Sequence, residues 1–162
     1  MEKQTLRTEL NLQRLYQELL PTVYRAAYTY MKNPSDSEDA AQEAFLRLAR
    51  TRLSFPDLRQ AKAWLIVTVG NICKDMLRRR HRQDLNLEDY AALPAPKAEG
   101  GELLAALLQL PEKYKTAVFL YYYEGYSVGE IARAMGQPEG TVKSWLHRAR
   151  SALRQYLEEE QA

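Results

Sequence analysis

Residues 127–154, SVGEIARAMGQPEGTVKSWLHRARSALR, read as two short helices around a tight turn. Ser127 and Glu130 have the spacing of a capping box, in which each side chain satisfies an orphan amide at a helix start. Ile131, Ala134 and Met135 form a small apolar face, and Gly136 ends the helix where a left-handed residue is needed. Pro138 fits the first turn of a second helix, because its missing N–H would have no partner there. In that helix Val142, Leu146, Ala149 and Leu153 recur at helical spacing and point inward. Thr141, Lys143, Ser144, His147, Arg148 and Arg150 are left for the outer surface. An apolar-backed helix with small polar and cationic residues toward its N-terminal half suits the major groove of DNA. The plain alternative is a helical hairpin with a solvated basic face. Capping box, glycine turn and basic second helix together favour a helix-turn-helix.

Outward from this motif, composition sets the bounds. A chain of 162 residues has room for one domain or two small ones, and 27% charged residues with a negative mean hydropathy suit a soluble protein. No apolar run reaches the ~18 residues that a membrane span needs. The N-terminus lacks the apolar core of a signal peptide, so a cytoplasmic location is expected. The single cysteine, Cys73, excludes an internal disulfide, and with two histidines it makes a metal cluster an unpromising reading. Charge is unevenly spread: residues 1–83 carry fifteen Lys/Arg against nine Asp/Glu, residues 84–102 one against five, and residues 103–162 seven against seven. A basic front, an acidic middle and a balanced end indicate two modules and a linker.

In the front module residues 10–31 carry Leu12, Leu15, Tyr16, Leu19, Leu20, Val23, Ala27 and Tyr30 at helical spacings, with Pro21 starting a new helix or kinking this one. Asn33-Pro34-Ser35 is a break, and Ser35 with Glu38 forms a second capping box ahead of a helix over residues 36–52. On a helical wheel Ala40, Ala41, Ala44, Phe45 and Leu48 make a core stripe. Asp39, Gln42, Glu43, Leu46 and Arg50 fall opposite. One exposed leucine is ordinary, yet Leu46 ringed by acids and an amide also has the layout of a docking site, apolar at the centre and polar at the rim.

Phe55-Pro56-Asp57 makes a loop, and a further helix runs from Leu58 or Ala61 to Arg80. Leu65, Val69, Ile72 and Met76 form its inner side, with Cys73 nearby. Trp64, Val67, Asn71, Lys74 and Arg78 form its outer side, and the helix closes on Arg78-Arg79-Arg80-His81-Arg82. Basic residues there complement the helix dipole, but four arginines in five residues exceed that need. An aromatic, an amide and cations on one face match the demands of an unstacked nucleic-acid strand.

Residues 84–102, DLNLEDYAALPAPKAEGGE, read as an extended acidic linker able to span roughly 60 Å. Beyond it Leu103, Leu104, Leu107 and Leu108 mark a short helix. Pro111-Glu112 starts another that runs to Tyr123, with Gly125 as its stop. Tyr121, Tyr122, Tyr123 and Tyr126 cluster just before the helix-turn-helix, as core packing for a small module. The fold is therefore expected to be all-α, two small helical domains joined by an extended linker.

Three stretches in order, DSEDAAQEAFLRL, AWLIVTVGNICKDMLRRRHR and LPEKYKTAVFLYYYEGYSVGEIARAMGQPEGTVKSWLHRARSALR, resemble the extracytoplasmic-function (ECF) sigma factors of the sigma-70 family. The resemblance implies a region 2 domain over residues 1–83, the linker over 84–102 and a region 4 helix-turn-helix domain over 103–162. It implies no cofactor and no catalysis. It assigns Asp39, Gln42, Glu43, Leu46 and Arg50 to docking on the β′ clamp helices of core RNA polymerase. Lys62, Trp64, Val67, Asn71, Lys74, Arg78, Arg79 and Arg80 go to the −10 strand, with Asn71 helping to hold a flipped-out base. Thr141, Lys143, Ser144, Trp145, His147 and Arg148 go to the −35 duplex, and the preceding helices face the flap of the β subunit. An anti-sigma factor, often membrane-bound, is a further implied partner. Trp145 departs from the arginine common at that position; it either packs inward or lies over the sugar-phosphate backbone. The rival reading is a free-standing helix-turn-helix regulator that dimerises on a palindromic site.

Overall fold

The structure, a computed structural model, describes residues 9–82 and 101–161, with side chains at 12–82 and 105–155. The chain divides into two compact units, Met1–Leu85 and Asn86–Ala162. Residues 84–100 of the expected linker lie outside the described residues, as do the side chains of Leu103 and Leu104. Among the described residues there are only helices and the turns between them.

The first unit consists of α1 (Glu9–Met31), α2 (Pro34–Arg50) and α3 (Leu58–Arg82), each packed on both others. Its core is lined with small side chains: Ala27, Ala40, Ala41, Ala44 and Ala61 are fully buried beside Val23, Leu65, Val69 and Cys73. Alanines at the contact lines let three long helices approach closely, and the larger side chains fill the space between them. Pro21 does not start a new helix; α1 runs through it. The proline ring lies on the exposed side, where the lost backbone hydrogen bond is cheapest, and Leu19 and Val23 hold the core on either side of it.

The second capping box also gives way to a different cap. Asn33, not Ser35, caps α2: its side chain accepts from the Asp36 N–H at 2.9 Å, with Pro34 in the first turn. Asparagine is as good a cap as serine, and proline prefers the first helical position, so the two together outcompete the later start. At α3 the Asp57 side chain accepts from the Gln60 N–H at 2.9 Å, which settles the start at Leu58.

The second unit contains α4 (Gly101–Gln109), α5 (Glu112–Val118), a π-helical turn (Phe119–Tyr123), α6 (Val128–Met135) and α7 (Glu139–Gln161). The π turn replaces the end of an expected α-helix. Its wider bonding appears in the Glu124 N–H donating to the Phe119 carbonyl (3.2 Å), and the Tyr126 N–H then closes the helix end on the Leu120 carbonyl (2.9 Å) around Gly125 at φ +71°. Phe119, Leu120 and Tyr126 are buried, whereas Tyr121 and Tyr123 are half-buried and Tyr122 is exposed. The tyrosine cluster is thus only partly core.

Candidate nucleic-acid interface

The rear motif is built by local devices. The Glu130 N–H donates to Ser127 Oγ at 3.1 Å and the Ser127 N–H to Glu130 Oε1 at 3.0 Å, the full capping box of α6. Gly136 ends α6 at φ +63°, a conformation that suits glycine. Pro138 stands one residue outside α7 and offers its carbonyl to the Thr141 and Val142 N–H groups. A Cβ at Gly129 would meet only the carboxylate end of Glu139, at 2.9 Å, which a flexible side chain can move to relieve. Ile131 and Ala132 of α6 meet the inner side of α7, where Val142, Leu146, Ala149 and Leu153 are all buried.

That packing turns the other side of α7 outward. Lys143, Ser144, His147 and Arg148 are exposed and Thr141 is half-buried. Trp145 is also half-buried, at the edge of the buried stripe, between the two positions expected for it. Arg150, on the outer surface, donates from Nε to the Tyr122 hydroxyl at 3.2 Å, which favours its charged form. Tyr121 meets Tyr122 edge-on with centroids 4.9 Å apart. Sequence reading picks out both Tyr122 and Arg150 but does not join them.

In the front unit the α2 stripe is buried as the wheel predicts, and its opposite side is open. Asp39, Gln42 and Arg50 are exposed, Glu43 is half-buried and Leu46 is 48% exposed. Glu43 Oε1 lies 3.4 Å from Arg47 Nε and 4.0 Å from Arg50 Nη1, which draws two of the five candidates together. Pairs this exposed contribute at most about 1 kcal/mol, so a partner's charges can displace them.

On α3 the outer residues again share a face: Asn71 and Arg78 are exposed, and Trp64, Val67 and Lys74 are half-buried, whereas Lys62, also half-buried, lies two residues before Trp64 and therefore on a different side of the helix. Trp64 packs on Phe55 with ring centroids 5.9 Å apart and planes at 56°, so Phe55 of the loop props the indole from behind. Leu53 (51% exposed) and Leu58 (42%) flank that prop. By sequence Phe55-Pro56-Asp57 is only a loop; the exposed Leu53 and Leu58 on either side of it are the signal that it carries a surface.

The arginine run is not uniform. Asp75 holds Arg78 at 3.1 Å and Arg79 at 3.8 Å, all three well exposed. Arg80 is different: its Nη2 is ion-paired with Asp36 Oδ1, and the two side chains are only 13% and 12% exposed. The structure therefore removes Arg80 from the exposed basic face. Its partner is remote in sequence, which a local count of charges could not show. Among the described residues no group of three or more His, Cys, Asp or Glu has the arrangement of a metal site, and no helix is long and apolar enough to cross a membrane.

Comparison with known proteins places these features together. The family described as Sigma-70 region 2 matches residues 15–83, and that described as Sigma-70, region 4 matches residues 100–153. The ECF RNA polymerase sigma factor SigE of Mycolicibacterium smegmatis is 39% identical over 147 residues, covering 83% of this chain. The chain spans 57% of that relative's length. SigW of Bacillus subtilis is 32% identical over 155 residues, with 83% of this chain and 82% of SigW covered. SigL of Mycobacterium tuberculosis is 34% identical over 155 residues, with 90% and 88% covered. Among solved structures, the sigma factor RpoE of Bartonella quintana, crystallised with the anti-sigma factor NepR, shares the fold. Its TM-score is 0.66 at 22% identity, with 90% of this chain and 96% of that chain covered.

Proposed function

The chain belongs to the ECF sigma factors of the sigma-70 family, and from that premise we propose that it directs core RNA polymerase to particular promoters. It acts in the cytoplasm as an initiation factor and performs no catalysis of its own. The front unit docks on the β′ clamp helices through Asp39, Gln42, Glu43, Leu46 and Arg50. It captures the melted −10 strand with Lys62, Trp64, Val67, Asn71, Lys74, Arg78 and Arg79. The rear unit reads the −35 duplex through Thr141, Lys143, Ser144, Trp145, His147 and Arg148, and its earlier helices face the β flap. An anti-sigma factor competes for these surfaces.

The observation that carries this reading is the front unit's pair of unlike faces. One helix presents an exposed leucine with a polar rim, and another presents an aromatic, an amide and cations. Magnitudes explain why polymerase is needed. Opening a DNA base-pair step costs about 1.4 kcal/mol on average, and stacking one freed base on an aromatic ring returns about 1–3 kcal/mol. With Trp64 as the one large ring on this face, the unit cannot by itself offset the opening of several steps. Free, the protein binds promoter DNA poorly.

Run-off transcription with core enzyme over a library of genomic promoter fragments tests this directly. Promoter-specific transcripts dependent on the added chain are expected; none from any fragment rejects the proposal. Asn71→Ala is expected to impair open-complex formation more than core binding, and equal loss of both contradicts the role given to Asn71. A stable dimer with tight palindrome binding in the absence of polymerase favours the free-standing regulator instead.

A further inference from the structure

A buried polar knot lies at the start of α2. Asp36 divides its carboxylate between α3 and the cap of its own helix: Oδ1 receives Arg80 Nη2 from the last turn of α3, and Oδ2 receives Asn33 Nδ2 at 2.7 Å. Asn33 also donates to the Met31 carbonyl at 3.1 Å and caps the Asp36 N–H at 2.9 Å. Ser37 Oγ donates to the Asn33 carbonyl at 2.6 Å. Asn33, Asp36 and Ser37 are all buried. The end of α1, the start of α2 and the end of α3 thus meet on one carboxylate that cannot turn without breaking several bonds.

We propose that the Asp36–Arg80 pair is a positioning device for strand capture. It fixes the C-terminal end of α3, which carries Arg78 and Arg79, relative to α2, which carries the docking face. The proposal rests on the reading of the front unit as a polymerase-docked strand binder.

Stability alone does not account for such a pair, because an apolar pair of similar volume commonly serves a core as well or better. What a guanidinium on a carboxylate adds is direction, through donors in a fixed planar fork. The helix ends assist: an anion suits the N-terminus of α2 and a cation the C-terminus of α3. Arg78 and Arg79, on exposed Asp75, can exchange that carboxylate for a phosphate, whereas Arg80 is too enclosed to do so. An open groove of about 560 Å³ lies between α2 and α3, lined by Asp39 and Glu43 on one side and by Ile72, Met76 and Arg79 on the other, with Arg80 only 13% exposed among them. A change in the angle between the helices would therefore move the strand-facing arginines relative to the clamp-facing acids.

The test uses the full chain assembled with core polymerase. Thermal stability, core affinity and the rate of open-complex formation are measured on duplex promoters and on promoters premelted at −10. Arg80→Met is expected to slow opening on duplex DNA by between roughly 10- and 100-fold, the scale on which a displaced positioning group acts. Premelted templates recover most of that loss and core affinity stays unchanged. Arg80→Lys, which keeps the charge but not the fork, recovers part of the rate. The double variant Asp36→Asn/Arg80→Met relieves the unpaired buried charge, so it regains thermal stability but stays slow on duplex DNA. A double variant that opens duplex promoters at the wild-type rate overturns the proposal, as does parallel loss of core affinity and of opening on both templates. If Asn71→Ala is defective while the Arg80 variants match wild type, the tie alone falls. Absence of promoter-specific opening by the wild-type chain overturns the underlying reading along with it.

Discussion

In the front unit the helix with the aromatic and basic face, α3, is 25 residues long and lies against two others of 23 and 17 residues. In the rear unit α7 lies against short helices of 8 and 7 residues, the first of them bounded by a capping box and a left-handed glycine. Both units set their faces by interior packing; the front unit adds a buried ionic knot, and the rear unit adds hydrogen bonds at the ends of short helices. In the front unit three long helices concentrate sensitivity in one core, where one lost side chain is felt by all three. In the rear unit part of it is spread over individual caps, each worth about 1 kcal/mol.

The largest expected effect comes from that concentration. Leu65→Ala, at a fully buried site among the three helices, is expected to cost about 2–5 kcal/mol in denaturant unfolding of the front unit. A cost near zero would mean that packing does not govern this unit. Next comes Leu46→Asp, which leaves the packing untouched because the side chain is exposed. It is expected to weaken competition for core polymerase by about 2 kcal/mol or more, the scale of an interface hot spot. Unchanged affinity removes α2 from the docking role.

Rear-unit effects are smaller. Ser127→Ala takes away one half of the capping box and is expected to cost about 1 kcal/mol of stability. Gly136→Ala meets open space but a backbone at φ +63°, so its cost of roughly 1–2 kcal/mol is purely conformational. Losses above that range at either site would show that the motif relies on its caps more than the comparison allows. The mildest is Lys143→Ala, expected to lower the salt dependence of −35 binding by about one counterion with little change in fold.

Much of the fold was legible because it is written in short-range patterns. The apolar stripes of α2, α3 and α7, the Ser127–Glu130 box and the Gly136 stop all depend on residues within one or two turns of each other. The features that escaped depend on longer reach or on competition. Ser35–Glu38 has the spacing of a cap, but Asn33 followed by Pro34 makes a better one two residues earlier. Pro21 reads as a new start or a kink, and the helix runs through it with Leu19 and Val23 buried on either side. Arg80 looks like its neighbours in the run, and only folding brings Asp36 to it. The Tyr122–Arg150 hydrogen bond was hidden for the same reason.

The π turn at Phe119–Tyr123 has a consequence for how the rear unit tolerates change. Such a turn holds one residue more than the α turn it stands in for. Deleting one tyrosine would leave an ordinary α turn in its place, which completes the same rotation with one residue fewer, so the chain beyond would keep its phase. The same deletion within a regular helix such as α3 would turn everything beyond it by roughly 100°. The extra residue of this stretch therefore gives the helix end room to absorb a deletion, which should be milder here than one inside α3.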